Sequence, residues 1–131
     1  MKKYGLGAKR ILVVEDESDI CNICQRVLSR EGYKVDIAVN GRVAQDMINR
    51  KDYDLCLIDI RIQVMSGMEL YQWLQKKYPQ LSSRVIFTTG SVMGGDTMTI
   101  VEQTGRPFLP KPFTPNELKT IVQEALKQVE K

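Results

Sequence analysis

The feature that most restricts the fold of this chain is a repeated change of hydrophobic period. "RILVV" (Arg10 to Val14) is a short continuous apolar run, the pattern of a strand buried on both faces. From Ser18 onward Ile20, Ile23, Cys24, Val27 and Leu28 recur at spacings of three and four, the pattern of a helix, and Gly32 closes it. The same alternation follows four more times. "YKVDIAV" leads to Val43, Ala44, Met47 and Ile48; "YDLCLIDI" leads to Met68, Leu70, Tyr71 and Leu74, ending before Pro79. "RVIFTT" leads to a looser helix with Met98, Ile100 and Val101 that stops at Gly105. "PFLPK" precedes the most regular helix, Leu118 to Val129, with Thr114 as cap and Pro115 at its first position. Five strands alternating with five helices predict right-handed parallel crossovers and an α/β, doubly wound sheet with helices on both faces. Pro110 cannot donate a ladder hydrogen bond, so the last strand is expected at an edge.

The 131 residues suit one domain with one substantial core, and 43% hydrophobic with 27% charged residues is an ordinary globular composition. Residues 1–9 read as a tail or linker remnant and 10–131 as the domain. Net charge is only +3 with scattered basic residues, which argues against nucleic-acid binding. No apolar run approaches the roughly 20 residues of a membrane span, and "MKKYGLGAKR" lacks the apolar segment of a signal peptide, so a cytoplasmic protein is expected. Cys21 and Cys24 form a C-x-x-C inside a helical pattern, where cysteine behaves as a small hydrophobe. The chain has no histidine, which leaves the usual zinc sites short of ligands.

In doubly wound sheets, ligands bind beyond the carboxyl ends of the strands. Strand one ends in Glu15-Asp16-Glu17, strand three in Asp59, strand four in Thr88-Thr89-Gly90 and strand five in Lys111-Pro112. A lone strand-end Asp is most often a cap or turn former. Carboxylates crowded on one rim repel one another, however, and must take up protons, pair with cations or bind a metal. An all-oxygen set suits Mg²⁺ or Mn²⁺, and Asp59 with Lys111 and Thr89 beside it has the equipment of phosphoryl transfer to a carboxylate.

"ILVVEDE", "LIDIR…MSGMEL", "VIFTTG" and "FLPKPF" together resemble the receiver domain of two-component response regulators, from Lys9 to Lys131. The resemblance implies a flavodoxin-like (βα)5 fold of strand order 2-1-3-4-5. It implies Mg²⁺ (or Mn²⁺) held by Glu15, Asp16, Asp59 and the Arg61 carbonyl, with Asp59 as phosphoacceptor. Lys111 would bind the phosphoryl group, Thr89 would be the switch hydroxyl, Phe108 the aromatic switch residue, and Lys111-Pro112 a cis peptide. The implied partners are a histidine kinase or histidine phosphotransfer protein and a downstream protein target. The target would meet the surface of the fourth helix, fifth strand and fifth helix, with no nucleic acid or membrane involved. No enzyme activity is implied beyond its own phosphorylation and dephosphorylation. The stretch from Thr89 to Phe113 resembles receivers attached to hybrid sensor kinases, so the chain reads as a single-domain regulator or a receiver excised from such a kinase. Two rival readings are a pseudo-receiver used only for binding and a flavodoxin-like FMN carrier. The stretch "TTGSVMGGDT" looks superficially like a phosphate loop, but such a loop belongs after strand one, where acids would repel phosphate. Family members commonly carry Pro-Gly where this chain has Gln63-Val64, so the loop after the acceptor is expected to differ in stiffness and shape.

Overall fold

A computed structural model describes residues 8–90 and 95–129. Most of the expected tail and residues 91–94 of the loop-like stretch lie outside the described residues. The elements are β1 (Arg10–Val14), α1 (Ser18–Arg30), β2 (Lys34–Ala38), α2 (Gly41–Arg50), β3 (Leu55–Asp59), α3 (Gly67–Lys77), α4 (Pro79–Ser82), β4 (Val85–Thr89), α5 (Gly95–Thr104), β5 (Phe108–Pro110) and α6 (Pro115–Val129). The five strands form one sheet in the order β2-β1-β3-β4-β5, all pairs parallel. The doubly wound fold and its strand order are thus as the period changes and the resemblance imply. β5 is an edge strand, where Pro110 needs no ladder donor on its outer side.

Strand alternation divides the interior into two cores. Leu12, Val14, Cys56, Ile58, Val85 and Phe87 face the side that α2, α3 and α5 cover, with Ala44, Leu70, Leu74 and Val101 above them. Ile11, Val13, Leu55, Leu57 and Ile86 face α1 and α6, packing on Leu28, Leu118, Val122 and Leu126. β1, β3 and β4 are central and buried on both faces, which is why their sequences read as unbroken apolar runs. Each of these Leu, Ile or Val side chains contributes about 1.5–3 kcal/mol on burial.

The helix ends follow local chemistry. α3 opens with a capping box in which Ser66 Oγ accepts from the Glu69 N–H at 3.1 Å and Glu69 Oε1 accepts from the Ser66 N–H at 2.9 Å. The same reciprocal pair joins Thr114 and Glu117 ahead of α6, at 3.1 and 2.8 Å. Gly32 (φ 93°) and Gly105 (φ 71°) take left-handed conformations just past α1 and α5. Pro79 ends α3, as the sequence predicts, but also opens the extra single turn α4, since its fixed φ and missing N–H suit a first helical position. Cys24 and Cys56 are fully buried and free, and burial pushes both thiols up to about 12; Cys21, the other cysteine of the C-x-x-C, is half-buried and its Sγ donates to the Glu15 carbonyl at 3.4 Å.

On the β2 edge the Tyr53 hydroxyl donates to Asp36 Oδ2 at 2.7 Å, and Lys51 Nζ lies 3.2 Å from the same oxygen. The Tyr53 hydrogen bond, more than Lys51, lowers the Asp36 pKa. A depressed carboxylate pKa adds stability that is present above the unfolded value of about 3.9 and lost as pH falls through the folded value. Tyr53→Phe should therefore cost about 1 kcal/mol near pH 7. The gap to wild type should shrink as pH drops below about 4, as urea titrations across that range would show.

Candidate functional site

The carboxyl ends of β1, β3 and β5 meet at one point, the Lys111 ammonium. Its Nζ lies 2.8 Å from Glu15 Oε1, 2.7 Å from Glu17 Oε1 and 3.0 Å from Asp59 Oδ2. The ammonium donates hydrogen bonds to Glu17 and Asp59 and forms an ion pair with Glu15, so carboxylate oxygens surround it on three sides. Glu15 and Asp59 are buried, as is the Lys111 side chain at 7% exposure, while Glu17 is 62% exposed. Burial alone would lower the Lys111 pKa, but the hydrogen bonds to Glu15, Glu17 and Asp59 outweigh it and hold the amine protonated above its ordinary range. Glu15 moves up despite Lys111, because the cost of burying its charge dominates.

Backbone contacts place the acceptor. Asp59 is the last residue of β3, and its other oxygen, Oδ1, accepts from the Arg61 N–H at 3.0 Å. Gly67 opens α3 directly against this strand end: a Cβ there would lie 2.6 Å from the Asp59 carbonyl oxygen and 2.7 Å from Ile60 Cα. Only glycine permits that approach, which gives "MSG" its physical reason. The Gly67 N–H donates to the Ile60 carbonyl at 2.9 Å, closing the acceptor loop.

Inside that loop Val64 has φ 73°, and the Met65 N–H donates to the Gln63 carbonyl at 2.8 Å. A two-residue hydrogen bond around a positive φ is the rare, strained form of γ-turn, and a β-branched residue is the least suited to it. The side chain is 72% exposed and gains little packing in return. The Gln63-Val64 departure thus leaves the backbone in a conformation that glycine would adopt freely.

Thr89 ends β4, is 1% exposed, and its carbonyl accepts from the Lys111 N–H at 3.0 Å. Alternation puts Thr88 and Thr89 on opposite faces of the sheet, with Thr89 on the side of Phe87. Phe108 pairs with Phe87 in register and packs, half-buried, against the core beneath α2, α3 and α5. The Lys111–Pro112 bond is cis. Asp16 is exposed, and the three acids whose oxygens lie within 4.8 Å of one another are Glu15, Glu17 and Asp59. Sequence reasoning set Glu17 on the rim but gave it no role, because nothing in one sequence says which side of a helix start a glutamate will take.

A rim of this kind on a β2-β1-β3-β4-β5 sheet defines the receiver class. The response regulator receiver domain family model matches residues 11–123, and the chain belongs to that family. Among curated relatives, the response regulator PilR of Pseudomonas aeruginosa is 32% identical over 93% of this chain, and SaeR of Staphylococcus aureus 28% over 92%. The chain spans 27% of PilR and 52% of SaeR. The structure of a CheY-like receiver domain protein from Methanospirillum hungatei superposes with a TM-score of 0.86 at 29% identity, covering 95% of this chain and 98% of that one. The receiver domain of the sensor histidine kinase PA1611 from P. aeruginosa, with magnesium in its active-site cleft, gives 0.80 at 27%, covering 92% and 99%. Among the described residues no helix is long and apolar enough to cross a membrane.

Lys111→Met should destabilise the metal-free protein by about 2 kcal/mol, less than the 3–5 of a fully enclosed pair because Glu17 is solvated and Glu15 can take up a proton. Millimolar Mg²⁺ should restore more stability to this variant than to wild type, as thermal melts with and without the ion would show. Val64→Gly should stabilise the fold by about 1 kcal/mol, relief of the turn exceeding the added freedom of the unfolded chain. Urea denaturation measures it, and a loss of stability would contradict the strained turn.

Proposed function

We propose that Asp59 is the phosphoacceptor of a two-component phosphorelay. The observation that carries this reading is the buried Asp59 carboxylate 3.0 Å from an ammonium that is itself held by Glu15, all at the ends of parallel strands. The donor is the phosphohistidine of a histidine kinase or histidine phosphotransfer protein, since this chain contains no histidine. An Asp59 oxygen forms the new O–P bond as the P–N bond breaks, and the electron pair returns to the imidazole, which takes up a proton. Lys111 stays charged throughout and lies where it can follow phosphoryl oxygens. The Arg61 N–H orients the carboxylate through Oδ1, so that one oxygen is positioned while the other reacts.

The donor set at this rim is oxygen only, and three carboxylates converge within 4.8 Å, which fits a hard divalent cation. By the family resemblance Glu15, Asp16, Asp59 and the Arg61 carbonyl would hold Mg²⁺ or Mn²⁺; of these, Glu15 and Asp59 belong to the converging cluster, whose third member is Glu17, and Asp16 lies outside it. When bound, the ion supplies neutralisation of the carboxylates and of the phosphoryl oxygens. The magnesium in the PA1611 receiver, at 27% identity, supports this assignment.

Phosphorylation then favours an arrangement in which the Thr89 hydroxyl turns toward the phosphoryl group and Phe108 follows it, altering the face of α5, β5 and α6. Output is a change of protein partner at that face rather than an enzymatic product; the only reactions the chain promotes are its own phosphorylation and dephosphorylation. A histidine kinase or phosphotransfer partner would meet this chain in the cytoplasm, and we assign the exchange to that compartment.

Incubation with acetyl phosphate and Mg²⁺ should add one phosphate to wild type and none to Asp59→Asn, read by intact mass. A gain in both, or in neither, overturns the assignment.

A further inference from the structure

Glu17 holds an unusual place. It is the N-cap residue of α1, with extended backbone (φ −82°, ψ 115°), yet its side chain makes no capping hydrogen bond to the helix. Its carboxylate instead spans 94 positions of sequence to take one donor of Lys111, at 2.7 Å the shortest of the three bonds. Its own N–H donates to Glu15 Oε2 at 3.1 Å, so the backbone beneath it is anchored to the cluster while the carboxylate reaches solvent. The two buried acceptors are fixed at the ends of β1 and β3; Glu17 is the exposed acceptor at the mouth of the site.

With carboxylate oxygens of Glu15, Glu17 and Asp59 all within 3.0 Å of the Lys111 Nζ, an incoming phosphoryl oxygen can reach the ammonium only by taking the place of one of them. Glu15 and Asp59 are enclosed at the strand ends and belong to the set that would hold the metal, whereas Glu17 is the exposed acceptor outside that set. Glu17 rehydrates freely. We propose that Glu17 is a positioning residue that caps Lys111 before phosphorylation and is displaced by the arriving phosphoryl group, so that it slows acceptance of phosphate. This inference rests on the reading of Asp59 as phosphoacceptor.

Two variants separate the bond from its charge. Glu17→Ala removes both, and Glu17→Asp keeps the charge but is one methylene shorter and, as an N-cap, is drawn to the helix N–H groups. In metal-free protein without donor, the Lys111 ammonium protons should exchange with water about two- to fivefold faster in both variants by ¹⁵N-detected NMR, the range expected for an exposed ion pair. With Mg²⁺ and acetyl phosphate, the maximal phosphorylation rate should rise by about the same factor in both, and half-saturation by the donor should change less. Melting temperatures serve as the control for folding.

Unchanged exchange, or unchanged or slower phosphorylation, overturns the proposal. So does acceleration by Ala alone, which would mean that charge merely repels the donor. A tenfold or greater loss of Mg²⁺ affinity in Glu17→Ala, by calorimetry with the metal alone, overturns it in favour of Glu17 as a metal ligand. If wild type takes no phosphate, the acceptor reading of Asp59 fails, and the exchange measurement still decides whether Glu17 caps Lys111.

Discussion

One ammonium against three carboxylates is the interaction on which the rim depends. Glu15, Glu17 and Asp59 come from the ends of two adjacent strands, and their mutual repulsion would drive β1 and β3 apart at that end or leave protons on the acids. Lys111, delivered by the loop between β5 and α6, reaches across β4's end to hold them. Its N–H is also bonded to the Thr89 carbonyl, so the backbone that carries the ammonium is fastened to the strand that carries the hydroxyl. The cluster is held in negative excess, and this leaves it receptive to a divalent cation while the apolar strands beneath keep it in place.

The two-sided sheet gives the site two neighbourhoods. Alternation sends Leu109 into the core under α1 and α6 and Phe108 into the core under α2, α3 and α5. Thr89, two positions beyond Phe87, shares the Phe108 side. A change at Asp59 that moves the Thr89 side chain therefore acts on the packing of one core and can leave the other as it was. That asymmetry is what a receiver needs if chemistry at the rim is to alter one face of the molecule.

The fold was legible because each central strand is buried on both faces, and an apolar run such as "RILVV" then has no competing reading beside a helix of period 3.6. The acceptor, its lysine and the buried glutamate were legible because each ends a strand, where order along the chain maps directly onto position in space. Three features were not. α4 arises from a proline that both stops one helix and starts another, and sequence signals describe the two acts identically. Asp16 and Glu17 are adjacent acids just before a helix and read alike in the sequence, whereas in the fold Glu17 is the extended N-cap residue whose carboxylate reaches Lys111 and Asp16 is exposed. The turn at Val64 contradicts its own residue preference, so no local rule would place it.

The position of that turn follows from closure of the loop around it. Asp59 ends β3, and Gly67 must return to within contact of the Asp59 carbonyl oxygen, with Gly67 and Ile60 joined by a 2.9 Å hydrogen bond. Six residues, 61–66, therefore have to leave the strand, pass over Gly41, whose missing Cβ leaves space for Met65, and enter a helix at a capped serine. Ser66 is committed to the extended N-cap geometry, and Arg61 to its bond with Asp59 Oδ1. The reversal falls between them, and with no glycine there Val64 takes the positive φ. Strain at Val64 is thus the other side of the constraint that presses α3 against the acceptor: the close approach at Gly67 holds Asp59, and the residue opposite that closure bears the cost.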